Sequence, residues 1–256
     1  MSASRCSKYR GSAISDPFVF TKKTVWMQRV GDAVRAGAAY YIQGATRFEK
    51  VPVTLQRFGA RYHVNLGRAS DLRARQAGQD VARWIGYHEE SSGLVHWVLL
   101  YWPGTSPDPT ERWMCPTVDR LQHSGYELVR ITKVGASRPV WTWRYTKQRY
   151  QGLRDQLVGA IRLRQDAAVD QIIHSLARSP GFAGVRTQVK QLWRLIGAEW
   201  KRGRSMSEPL PNIPKNIGYV RRLPDAGASW SALAKRPTGW MERRNDGDES
   251  FEASTR

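Results

Sequence analysis

The chain has 256 residues and carries 41 Lys+Arg against 22 Asp+Glu, a formal charge of +19. With 41% hydrophobic residues it can bury a core, and its two cysteines, Cys6 and Cys115, build neither a disulfide framework nor a zinc site. The longest apolar run, Leu94 to Trp102, is about half a membrane span, and the N-terminus has no apolar signal region; the expectation is a cytoplasmic protein with no membrane partner.

Residues 1–15 are basic, polar and without periodicity, and read as a disordered tail. Val25 to Tyr41 has a helical stripe through Trp26, Val30, Val34 and Tyr41. Val51, Val53 and Leu55 alternate with polar residues, as do Tyr62, Val64 and Leu66, so strands are expected at 51–56 and 61–66. Ala69 to Tyr87 reads as one helix capped by Ser70 or Asp71. Leu94 to Trp102 suits a central strand that stops at Pro103-Gly104. A loop follows at Thr105 to Pro109, then a short helix at Pro116 to His123. Tyr126 to Lys133 and Val140 to Tyr145 form a hairpin candidate around Val134–Ser137.

The order of these elements predicts an α+β fold, a small antiparallel sheet of the ferredoxin-like class with covering helices, over residues 16–146. Residues 147–204 read as a basic helical appendage of three helices, with breaks near Gln165 and at Ser179-Pro180-Gly181. Five prolines make 205–240 an extended segment, and 241–256 is a second disordered tail of local charge −2, which leaves +21 on residues 1–240.

That field calls for a polyanion. On the third appendage helix Val185, Val189, Leu192, Trp193, Ile196 and Trp200 fall within one arc. Arg186, Lys190, Arg194, Lys201 and Arg204 fall within a neighbouring arc. The helix thus has an apolar side for docking and a basic ridge suited to a phosphate backbone. Arg144, Arg162 and Arg164 extend the candidate nucleic-acid surface. The start of this helix, Gly181-Phe182-Ala183-Gly184, is either a phosphate approach or simply a helix break with Phe182 as a hydrophobic staple. Trp141, Trp143 and Tyr145 share one strand face, which is either core or a stacking platform for bases, and Trp113, Trp230 and Trp240 are expected to be exposed.

The acids are scattered, no pair of histidines has metal-ligand spacing, and no P-loop is present, so no metal site or cofactor is expected. His96, inside the apolar run, reads as a core residue. His63 should face away from the core side that holds Tyr62, beside Arg61 and Asn65, where an imidazole could move a proton in RNA transesterification.

With the ridge Arg186, Lys190, Arg194, Lys201 and Arg204 and the pair Tyr62-His63, the chain resembles in outline the repeat-RNA-processing endoribonucleases of CRISPR systems. That resemblance implies a ferredoxin-like core, a bound structured RNA and metal-independent cleavage by His63 and Tyr62. Structured RNA is therefore the favoured partner, alone or within a ribonucleoprotein. Two other readings stay open: a DNA-binding accessory protein of a plasmid or integrated element, with a helix-turn-helix around Ser179-Pro180-Gly181, and a scaffolding subunit of a ribonucleoprotein.

Overall fold

A computed structural model describes residues 16–236 apart from 63, 65–67, 104–110, 133, 134, 136 and 206. The chain is α+β, as expected, and divides into two compact units. One comprises the described residues of Met1–Trp26, Gln43–Pro107 and Asp225–Arg256, the other Met27–Ile42 and Asp108–Pro224. This division is not the expected one of 16–146 and 147–204, because the hairpin after residue 120 joins the helices rather than the first sheet.

The first unit is built on a sheet of five strands. They are β1 (Phe18–Phe20), β2 (Tyr40–Arg47, in this unit from Gln43), β3 (Val81–Glu89), β4 (Leu94–Trp102) and β8 (Gly227–Ser229), in the order β2-β4-β3-β1-β8. The sheet is mixed rather than purely antiparallel: β1 runs parallel to β3, while β4 runs antiparallel to β3 and β8 antiparallel to β1. The β3–β4 hairpin pairs from Val81↔Trp102 to Glu89↔Leu94. It closes through Gly93, whose φ of +66° suits glycine. Trp84 and Gly86 share a face, and the Trp84 ring fills the place a side chain at 86 would take.

Several elements differ from expectation. The helix expected over 25–41 ends at Arg35, and Tyr40 and Tyr41 open strand β2. Val51–Arg61 is helix α2, not a strand. Pro52 sits in its first turn, where the missing N–H costs nothing. Val51, Leu55 and Phe58 are buried at helical spacing, while Val53, the middle of the expected alternation, is 66% exposed. The expected helix 69–87 is instead α3 (Arg68–Gln76) followed by β3. Gly78, at φ +66°, ends α3 by donating its N–H to the Arg75 carbonyl. Asp71 of α3, only 1% exposed, is bonded by the Arg83 guanidinium at 2.5 Å and so ties helix to strand. Of the expected strand 61–66, Arg61 instead ends α2, Tyr62 is extended and Val64 bridges Ala82 in parallel; His63, Asn65 and Leu66 lie outside the described residues.

The second unit contains Met27–Arg35 of helix α1 (Lys23–Arg35) and a three-stranded antiparallel sheet. Its strands are β5 (Gln122–His123), β6 (Tyr126–Ile131) and β7 (Val140–Tyr145). Where a short helix was expected at 116–123, the chain makes turns and then β5. Ser124 and Gly125, both with positive φ, form the tight turn from β5 to β6. The indole of Trp143 donates to the Met27 carbonyl at 2.8 Å, which fixes α1 on one face of the sheet.

Three helices complete the unit: α4 (Lys147–Arg162), α5 (Asp166–Ala177) and α6 (Ala183–Gly203). Thr146 caps α4 by accepting from the Arg149 N–H. Leu157, Ile161, Val169, Ile173, Leu176, Val189 and Ile196 form their shared core. Residues 209–226 of the Pro-rich return segment form no helix or strand and are held by side chains of α1. Gln28 accepts from the Leu223 N–H at 3.1 Å and donates to the Arg221 carbonyl at 2.7 Å. Beyond it, β8 and the short helix α7 (Trp230–Ala234) return to the first unit.

Candidate nucleic-acid interface

Helix α6 is fixed by its apolar arc. Val185, Val189, Leu192 and Ile196 are fully buried, and Trp193 and Trp200 are 6% exposed. Its first turn meets the open edge of β7. Gly184 donates to Thr142 Oγ1 at 3.2 Å, and a Cβ at 184 would stand 2.5 Å from the Trp143 carbonyl, so only glycine allows this approach. One turn on, the Gln188 amide accepts from the Tyr145 N–H at 2.7 Å and donates to the Tyr145 carbonyl at 3.1 Å. A side chain thus takes the place of a missing strand and satisfies the edge of the sheet.

With the apolar arc docked, the expected ridge faces outward. Lys190, Arg194 and Lys201 are exposed, and no carboxylate among the described residues pairs with them. Arg186 is half-buried, its guanidinium 5.6 Å above the Tyr219 ring. Arg204 departs from the ridge. Its side chain is 2% exposed, held by Asp166 and by Glu208 at 3.0 Å, and it lies 4.4 Å over the Trp200 ring. The cation that appeared to end the ridge instead fastens the end of α6 to the start of α5 and to the return segment.

The other basic candidates are also engaged. Arg144 bonds Glu127, a 3% exposed carboxylate that Arg120 also approaches at 3.2 Å. Arg162 reaches Glu199 at 3.5 Å, shared with Arg202 at 2.9 Å. Arg164 bonds Glu208 at 3.1 Å. Arg162 and Arg164 keep more than half of their side-chain surface in water, whereas Arg144 and Arg204 are built into the fold.

Beyond Arg162, α4 contributes two further cations. Tyr150 of α4 donates to Gln191 of α6 at 3.3 Å. On the α4 face that carries Tyr150, three residues before it and four after, stand the exposed cations Lys147 and Arg154. They continue the positive surface beside the ridge. Their signal was the spacing 147, 150, 154, which becomes meaningful only once the neighbour of α4 is known.

The aromatic strand is core, not a platform: Trp143 and Tyr145 are each 1% exposed, and only Trp141 keeps appreciable surface. Trp230 is held by its indole N–H to the Phe48 carbonyl at 2.8 Å, Trp113 is half-buried, and Trp240 lies outside the described residues. Tyr62, a candidate catalytic residue, is 6% exposed with its ring edge-on to Tyr101; His63 lies outside the described residues. His96 is not wholly buried, keeping 23% of its side chain exposed and bonding Glu89 at 3.2 Å. Among the described residues, no group of three or more His, Cys, Asp or Glu is placed to hold a metal ion, and no helix is long and apolar enough to cross a membrane. No family model, curated protein or solved structure matches the chain.

Proposed function

We propose that the second unit binds structured RNA by laying the ridge of α6 along its phosphate backbone. The observation that carries this reading is the row Arg186, Lys190, Arg194 and Lys201, without carboxylate partners among the described residues, on a chain of charge +19. At about 1.5 Å per residue the row is about 22 Å long, enough to follow several successive phosphates of one strand. Lys147 and Arg154 of α4 widen it.

The helix-turn-helix reading needs the first turn of α6 to be free, because a recognition helix meets base edges with its N-terminal residues. Here that turn is occupied by the β7 edge and by the backbone of 218–220, into which any side chain at Gly181 would run. The ridge suits contact with phosphates along its length, the mode by which structured RNA is gripped through shape and backbone. With Tyr62 in the core, the proposal is one of binding rather than cleavage.

The test is fluorescence anisotropy with an RNA hairpin and with a DNA duplex of matched sequence and length. Tighter binding of the hairpin supports the reading. Equal or tighter binding of the duplex transfers the ridge to DNA, and no binding of either removes it.

A further inference from the structure

A cleft of about 390 Å³ opens in the second unit, walled by α1, the β7 edge, the start of α6 and residues 219–222. Its lining is aromatic, with Trp141, Phe182 and Tyr219. Its rim is cationic. Arg35 and Arg222 bond the two carboxylate oxygens of Asp32 at 3.0 and 2.7 Å, and Arg29 approaches it at 3.8 Å, so one acid is shared by three guanidinium groups, of which Arg35 and Arg222 stay 61% and 70% exposed. Those two therefore keep N–H donors for a further anion.

Two features join this cleft to the ridge. Tyr219 in its wall lies under Arg186, the first residue of the ridge. Along β7, outward backbone groups recur at every second residue. Gln188 takes those of Tyr145, Gly184 abuts those of Trp143, and those of Trp141 fall on the edge that the cleft adjoins. An N–H and a C=O on a strand edge, beside an indole, present what a base edge and a base face require.

We propose that this cleft takes one unpaired nucleotide of the bound RNA, its base against Trp141 and its phosphate at Arg35 and Arg222. A volume of about 390 Å³ is within the range of small-ligand sites. The rim charge favours a nucleotide over an apolar peptide. The inference rests on the ridge reading and adds a preference to it: the preferred RNA has a single-stranded nucleotide next to its stem.

The probes are a blunt RNA hairpin and the same hairpin with a three-nucleotide single-stranded 3′ extension, titrated by anisotropy. The extended hairpin should bind about tenfold more tightly, the increment of one stacked base. Trp141→Ala should erase that preference while leaving the blunt hairpin unchanged, and Trp141→Phe should restore most of it. Arg222→Glu, at an exposed position that leaves the core intact, should erase it as well. Arg194→Ala should weaken both probes equally. Equal binding of the two probes by the unmodified protein, or a preference that survives both Trp141→Ala and Arg222→Glu, overturns the cleft assignment while the ridge stands. Failure of both probes to bind overturns the ridge.

Discussion

Leu192→Ala and Arg194→Ala form a pair that separates docking from grip on α6. The two residues are about 200° apart around the helix, so they serve different surfaces. Leu192 is fully buried, and its truncation leaves a cavity worth about 2–5 kcal/mol. At about 2–4 °C per kcal/mol for a chain of this size, melting should fall by roughly 4–20 °C. Arg194 is exposed and without an ion pair among the described residues, and alanine is the best helix former. Arg194→Ala should therefore leave the melting temperature within about 2 °C, since exposed charges contribute little to stability. Its effect should be on RNA. Losing one phosphate contact removes about 0.7–0.9 from the slope of log K against log salt, which at 0.1 M salt is a loss of roughly five- to eightfold. The assay is a thermal melt on each variant, followed by a hairpin titration at several salt concentrations below the melt. Early melting of Arg194→Ala with unchanged binding per folded molecule would mean that Arg194 supports the fold, and the orientation derived for α6 would be refuted.

Three further outcomes follow from the contacts. His88 is 8% exposed against the Phe48 ring, and burial holds its pKa below the ordinary 6.5, outweighing Glu90 and Glu49, which pull it up. The native state thus prefers neutral His88: this contribution is fully present above about pH 6.5 and is lost as pH falls below it. A melting series from pH 8 to 5 should show a decline that is shallower in His88→Phe. Gln188→Leu strips Tyr145 of both edge partners and should cost about 1–3 kcal/mol in a urea denaturation curve, with Gln188→Glu intermediate because it keeps only the acceptor. Arg204→Ala should lower the melting temperature more than Lys201→Ala, with less effect on the salt slope, because Arg204 bonds Asp166 and Glu208 while Lys201 faces solvent.

Long signals were legible in both units. The 21 residues of α6 turn the same arc inward nearly six times, and that arc is the buried one. The nine residues of β4 match the apolar run residue for residue. Short windows misled. Six alternating residues at 51–56 fit a strand until Phe58 is added, when 51, 55 and 58 become one helix face. The boundary between α3 and β3 was marked by Gly78, but the apolar stripe on either side hid it.

The site was legible in part. That α6 carries a ridge followed from angle alone. That Arg204 leaves it could not, because one of its two partners, Asp166, is 38 residues away, and a charge is neutralised in space rather than in sequence. The cleft was hidden for the same reason. Its walls come from segments as distant as Asp32 and Arg222, which only the fold brings to 2.7 Å.

The most direct test of the account is the salt dependence of hairpin RNA binding by the unmodified protein and by a Lys190→Ala/Arg194→Ala/Lys201→Ala variant. The four ridge cations together with Lys147 and Arg154 predict a slope of about −4 to −5.5 for log K against log salt. The triple variant should melt at the same temperature with a slope shallower by about 2 to 3. A triple variant that folds and keeps the unmodified slope would contradict the claim that α6 grips the RNA.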